Sequence, residues 1–237
     1  MQAVEVALST LFVPRCVACE ARVEPPAPLC AACATTVDEL GPACPRCGEP
    51  QAAPPAVECA RCRAGRWPLE AMVAPWRYGG ELGRSLRRLK FARRHEIARA
   101  LAPLYAPFLH AAVEAGAIDL IVPIPLHWRR LAARGFNQSE ALARHARAAA
   151  GCAAPLDTRA LRRVRNTSPQ THLDGDARRL NLLEAFAVPR PARVAGRRVL
   201  LVDDVVATGA TMAAAAIALT SSGAAGVVGF AFARAER

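Results

Sequence analysis

The 237 residues suffice for one medium domain and a small one, and a 53% hydrophobic share, carried by Ala and Val more than by the 5% of aromatics, supplies a sizeable core. A formal charge of +11 points to a polyanionic partner or a phosphorylated ligand without saying which. The first 14 residues include Glu5 and lack a basic stretch, and the uncharged run 205–233 is broken by Thr208, Gly209, Ser221, Ser222, Gly223, Gly226 and Gly229, so neither signal peptide nor membrane span is expected and the chain reads as cytoplasmic.

Residues 4–13 read as a short amphipathic helix closed by Pro14, with Leu8, Leu11 and Phe12 on one side. Four CxxC pairs follow, Cys16/Cys19, Cys30/Cys33, Cys44/Cys47 and Cys59/Cys62, separated by ten, ten and eleven residues. Two residues between cysteines let both sulfurs face one metal, and two such knuckles complete a tetrahedral Zn²⁺ site, so these cysteines predict two zinc ions. Disulfides are the competing use; in a reducing cytosol metal is favoured. Pairing 16/19 with 30/33 and 44/47 with 59/62 closes the shortest loops, and interleaved pairing stays open. Four thiolates leave no open coordination position, so both sites read as structural. A Pro- and Ala-rich segment with little core draws much of its folding energy from metal, which predicts that chelation unfolds this segment and spares the rest. The boundary falls near Gly65, dividing 1–65 from 66–237, and charge divides with it: five basic and seven acidic side chains before it, 26 and 13 after it. Nucleic acid held by charge would therefore contact mostly the second part.

Beyond the boundary, Met72 to Tyr78 has an extended pattern, Gly79-Gly80 is a turn, and Leu82, Leu86 and Leu89 recur at helical spacing over 81–91. Lys90, the one lysine beside 30 arginines, ends that helix as a compact cation suited to reach a phosphate. Residues 95–114 read as a helix bent at Pro103 and Pro107. Asp119 to Pro125 reads as a buried strand ending in a Pro-Ile-Pro loop, and Asn137 with Glu140 fits a capping box opening a helix to Ala150. Arg129, Arg130 and Arg134 then fall near the carboxyl end of a strand, where guanidinium forks meet phosphate. The arginine-rich stretch 159–181, with Arg162, Arg163 and Arg165, reads as a loop able to hold a DNA backbone, and Phe186 to Val188 as a short strand.

Val199 to Val202 run into Asp203 and Asp204, then Val205-Val206-Ala207-Thr208-Gly209-Ala210-Thr211, then an alanine-rich helix over 212–222 with Gly223 at its end and a closing strand over 226–233. This is the order of a buried parallel strand, a ligand loop and a helix, and open α/β sheets bind ligands beyond the carboxyl ends of their strands. Gly209 lets backbone N–H groups approach an anion closely. Carboxylates accept hydroxyl protons and hold Mg²⁺ through water, so a ligand with vicinal hydroxyls beside a phosphate, such as ribose 5-phosphate, fits both halves. No GxxxxGK[ST] occurs, and Gly223, Gly226 and Gly229 form no dinucleotide fingerprint. Cys152 reads as a small core residue, and His127 has no sequence partner that would make it a general base.

The acid pair and its Thr-Gly-x-Thr loop resemble the 5-phosphoribosyl 1-pyrophosphate (PRPP) motif of type I phosphoribosyltransferases. That resemblance implies that Asp203 and Asp204 contact the ribose hydroxyls, with Mg²⁺ accompanying PRPP, and that Ala207, Thr208, Gly209, Ala210 and Thr211 hold the 5′-phosphate. It also implies a lid at 159–181, and makes Lys90, Pro125, Arg129, Arg130, Arg134 and Arg165 candidates for pyrophosphate or DNA phosphate. Val-Pro-Ile-Pro-Leu-His at 122–127, Arg-Gly-Phe-Asn-Gln at 134–138, Arg-Asn-Thr-Ser-Pro-Gln at 165–170 and Arg-Arg-Leu-Asn at 178–181 join the cysteine pairs and the acid loop in one order. With them the chain is similar, from about Cys16 to Arg234, to the ComF family of competence proteins. The fold this implies is α/β: a type I phosphoribosyltransferase-like parallel sheet flanked by helices, preceded by a small double zinc-ribbon domain. The function it implies is DNA uptake in natural transformation, or use of external DNA as a nutrient, with single-stranded DNA and, in some bacteria, a helicase as partners. A working phosphoribosyltransferase of salvage metabolism is the alternative, and it needs an acceptor-selecting group that no sequence feature supplies. A pure zinc-ribbon interaction module leaves the acid loop unexplained.

Overall fold

The computed structural model describes residues 14–24, 27–54, 56–65, 67–91, 94–165 and 184–235. In chain order its elements are α1 (Ala31–Ala34), α2 (Ala60–Arg63), β1 (Ala71–Val73), α3 (Gly80–Phe91), α4 (Glu96–Ala115), β2 (Leu120–Pro123), α5 (Trp128–Arg134), α6 (Gln138–Ala149), β3 (Arg162–Arg163), β4 (Phe186–Ala187), β5 (Arg198–Val206), α7 (Ala210–Ser221) and β6 (Gly226–Arg234). The helix expected over 4–13, and Asn166 to Gln170 and Arg178 to Asn181, lie outside the described residues.

The apolar runs form one parallel sheet in the order β1-β6-β5-β2. Side chains alternate across a strand, so β5 and β6 send Leu200, Val202, Val228, Phe230 and Phe232 into one core. They send Val199, Leu201, Val227 and Ala231 into another on the opposite face. Burial on both sides is why these strands read as continuous hydrophobic runs. Leucines and small residues of α3, α4 and α6, together with Cys152, fill the first core; α7, with Met212, Ala215 and Leu219, fills the second. Helix α4 runs through Pro103 and Pro107, which are exposed and one turn apart, so the carbonyls they leave without an intrahelical partner face water.

Both cysteine segments continue these cores. Cys16 and Cys33 belong to the first, and Cys44, Cys47 and Cys62 to the second. The second segment and the chain just before it run beside the edge strand: Met72 N–H of β1 donates to the Pro45 carbonyl at 3.0 Å, and Leu40 N–H donates to the carbonyl of Pro75, just past β1, at 2.9 Å. The edge that β1 would otherwise expose is thereby covered. From α3, Arg88 Nη1 donates to the Val17 and Ala18 carbonyls at 3.0 and 2.9 Å. From the end of β6, Arg234, 1% exposed, donates to the Cys47 carbonyl at 2.8 Å and pairs with Glu49 at 2.5 Å. Side chains of both cysteine segments are thus part of the two sheet cores, an arrangement that bears on the expectation that metal loss spares the sheet.

Candidate functional site

Strand β2 stops at Pro123, opposite Val202, whereas β5 continues to Val206 because β6 pairs with it as far as Arg234. Asp203 and Asp204 therefore lie inside β5, not beyond it, but past the end of its β2 neighbour. Their carboxylates diverge, as successive strand side chains must. Asp203 Oδ1 accepts the Ser139 hydroxyl at 2.9 Å and the Asp204 N–H at 2.9 Å. Asp204 Oδ2 lies 2.7 Å from Lys90 Nζ, at the end of α3. Ser139 is held at the start of α6 by Asn137, whose Oδ1 accepts the Ser139 N–H at 3.1 Å and whose Nδ2 donates to the Ile124 carbonyl at 2.9 Å. Only half of the expected capping box forms among these contacts, since Glu140 pairs with Arg144 at 2.7 Å.

The acids are 9% and 4% exposed, so the site is a desolvated charge cluster and not an open acidic rim. Burial first, and then the charge of Asp204, pushes the Asp203 carboxyl up to about 7 against the pull of its hydrogen bonds and Lys90. Tyr105 on α4 is wholly buried, and burial together with the charge of Asp204 raises its phenol. Sequence reasoning missed Ser139 and Tyr105; the serine was detectable as the residue that an Asn137 cap would hold.

After β5, Ala207 and Thr208 are exposed, and Gly209 adopts φ +76° before α7 begins at Ala210. Thr208 Oγ1 accepts the Ala210 N–H at 3.3 Å. The first-turn N–H groups of a helix lack intrahelical acceptors, so this turn presents donors beside the acid pair. Trp67 packs on Gly209 so closely that a Cβ there would sit 2.4 Å from the indole. Arg61 Nη1 donates to the Thr208 carbonyl at 3.4 Å, with its guanidinium 4.6 Å above the Trp67 ring. Neither residue was visible as a site residue in the sequence.

Of the expected phosphate ligands, Lys90 and Arg134 come to the acids. Burial lowers the Arg134 pKa and the Asp204 charge opposes it, while its guanidinium lies 5.4 Å over the Phe91 ring. Arg163, half-buried on β3, feels the Asp203 charge after burial and Arg130. Pro125 lies part-buried in the loop after β2. Arg129 stacks on Trp128 at 5.3 Å, a tryptophan 64% exposed, and Arg165 pairs with Glu184 at the surface. His127 caps α5, its Nδ1 accepting the Arg129 N–H at 3.4 Å; desolvation and three arginines hold its pKa down.

The cysteines gather in sequential pairs: 16, 19, 30 and 33 in one cluster, 44, 47, 59 and 62 in the other, with all ligand atoms of each within 4.8 Å. Cys19 and Cys30 sulfurs are 3.7 Å apart and those of Cys47 and Cys59 3.6 Å. A zinc–sulfur bond of about 2.3 Å gives a tetrahedral edge of roughly 3.8 Å, so both clusters fit structural zinc. The Cys59 N–H donates to Cys44 Sγ at 3.3 Å. Burial opposes ionisation of Cys44, but such backbone donors bring its thiol down to about 7, toward the thiolate that a metal needs.

Comparison with known proteins agrees with this arrangement. The double zinc ribbon domain family matches residues 7–63, and the phosphoribosyl transferase domain family matches residues 131–235. The chain is 40% identical over 184 residues to the DNA utilization protein YhgH of Salmonella typhimurium, covering 76% of this chain and 79% of that protein. It is 39% identical over 185 residues to the protein of that name in Escherichia coli K12, covering 75% and 80%. Competence protein F of Haemophilus influenzae is 31% identical over 161 residues, covering 66% and 69%. None of the helices among the described residues is long and apolar enough to cross a membrane.

Proposed function

The chain belongs to the ComF family of competence and DNA-utilization proteins, and from that premise we propose that it is a PRPP-pocket protein of DNA uptake that binds single-stranded DNA in the cytoplasm. In this reading residues 1–65 are the zinc-ribbon domain and 66–237 the phosphoribosyltransferase-like one. Asp203 and Asp204 hold the sugar hydroxyls, with Mg²⁺ arriving on PRPP, and Ala207 to Thr211 hold the terminal phosphate. The observation that carries the reading is the sequence of parts along one edge: a buried acid pair, a left-handed Gly209 turn and the start of α7.

The internal partners have a use in this reading. Lys90 and Ser139 satisfy the acids while the pocket is empty and yield them when sugar hydroxyls arrive. Lys90, freed from Asp204, becomes a cation for the pyrophosphate, and Arg134 lies near enough to assist. The DNA surface is basic, with Arg129 and Arg130 on α5 beside the exposed Trp128, a combination of guanidinium and aromatic ring that suits unpaired bases on a phosphate backbone. A competence helicase is the protein partner this reading expects.

Two calorimetric titrations test it, one with PRPP and Mg²⁺ and one with an oligonucleotide. Binding of both is expected. Single-strand affinity should fall with a log–log salt slope of about −0.7 per phosphate contact, so replacing Arg129 and Arg130 together by Gln should flatten the slope by about 1.4 units. Salt-insensitive binding would remove the DNA assignment, and absence of PRPP binding the pocket assignment. Pyrophosphate release with a panel of nucleobases would turn the reading toward a working transferase.

A further inference from the structure

The second cysteine cluster and the phosphate-loop turn are in contact, although 147 residues separate Arg61 from Thr208. Three observations locate that contact. The Gly209 turn is buried against Trp67, leaving no room for a Cβ on either account, since the added atom would lie 2.4 Å from the ring and φ is +76°. Arg61, on α2 and next to the ligand Cys62, bridges outward: it stacks on the same indole at 4.6 Å and donates to the Thr208 carbonyl at 3.4 Å. Finally, Arg46, inside the Cys44–Cys47 knuckle, ties the Trp67 backbone to the second ribbon by donating to the Trp67 carbonyl at 3.2 Å and to the Cys62 carbonyl at 3.5 Å.

A turn that holds a phosphate through backbone N–H groups must keep those groups convergent before the ligand comes, or lose affinity to the entropy of ordering them. Gly209 is conformationally permissive and would sample other φ values if nothing lay against it. Here a flat, 4% exposed indole lies against it, and a planar guanidinium ties the preceding carbonyl. We propose that Trp67 and Arg61 are positioning residues of the sugar-phosphate site: Trp67, just past the second ribbon, is the wall that fixes the Thr208–Gly209 turn, and Arg61 of the ribbon braces both, so that the ribbon belongs to the pocket as well as to the scaffold. The part concerning ligand affinity rests on the PRPP reading; the part concerning the turn does not.

The test uses the full-length, zinc-loaded protein and four variants, Trp67→Ala, Trp67→Phe, Arg61→Gln and Arg61→Lys, with two readouts. Backbone hydrogen exchange in the absence of ligand is read over 207–212 and, as a reference, over α6 and β6. Trp67→Ala is expected to speed exchange in the turn at least tenfold while the reference segments keep their protection. Trp67→Phe, which restores a flat ring against the glycine, should recover most of it. Arg61→Gln, at a half-buried position, should give a smaller, turn-confined effect should Trp67→Ala fail to fold, and Arg61→Lys, which keeps the charge without the fork, should resemble it. Calorimetry with ribose 5-phosphate then reads affinity: about tenfold weaker for Trp67→Ala, within threefold of wild type for Trp67→Phe. Unchanged exchange in the turn for both Trp67→Ala and Arg61→Gln, or loosening spread equally over the reference segments, would overturn the proposal. Wild-type protein that ignores ribose 5-phosphate while its variants still loosen the turn would leave the wall in place and end the PRPP reading instead.

Discussion

Asp203 is a buried carboxyl whose pH behaviour has the opposite sign to that of an ordinary paired carboxylate. Its ordinary value is 3.8 and the folded one about 7, so between those limits the folded protein binds a proton that the unfolded chain has released. Stability from this group is therefore greatest in acid and is lost as pH rises from about 4 to about 7. Asparagine mimics the protonated acid. Asp203→Asn should raise the melting temperature at pH 8, by at least the effect of about 1 kcal/mol, and the gain should vanish near pH 4; a melting series across that range checks it. The same variant should weaken PRPP binding if the pair holds ribose. The adjacency of the two acids was legible, because neighbouring carboxylates after an apolar run are a local pattern. Their burial was not: it depends on Ser139, Lys90 and Tyr105, each from a different helix, brought together by packing alone.

Strands and helices of this chain were largely legible because each carries its own periodicity. Leucines at helical spacing mark α3, a branched run marks β5, and Gly223 marks the end of α7 at φ +91°. The seam between β6 and the second ribbon has no such signal. Arg234 ends an apolar strand, yet it is among the most buried side chains and reaches a carbonyl 187 residues away. Removing it strands the Cys47 carbonyl and leaves Glu49 without its cation. Because Glu49 is more than a third exposed, the loss in Arg234→Ala falls below that of a fully buried pair, at about 2–3 kcal/mol. A lowered urea midpoint with an unchanged slope is the expected result, and a midpoint equal to wild type would mean that the ribbon docks without this arginine.

At the scale of the whole molecule, the eight cysteines were the clearest sequence signal and their placement was hidden. Spacing specifies that four sulfurs meet, as they do in each cluster, but not what surrounds them. The surroundings are the two faces of the sheet: the first cluster shares its core with Leu82 and Leu86, and the second with Leu201 and Met212. Metal binding is folding free energy, on the order of 10–16 kcal/mol per site in isolated fingers, and here the cysteines that would bind it lie in cores shared with the parallel sheet. A segment held only by a linker would melt alone on chelation. This one cannot leave without uncovering the β1 edge and leaving Arg234 and Arg88 without the carbonyls they bond. Removal of zinc by a strong chelator should therefore lower the melting temperature of the α-helical circular-dichroism signal, to which α3, α4, α6 and α7 contribute most among the described residues, and not merely abolish a small separate transition. An unshifted helical transition after complete zinc release would show that the sheet domain stands without its ribbons. Deleting residues 1–65 is for the same reason a poor test of where DNA binds, since it strips both cores, and substitutions on α5 at the surface are the cleaner probe.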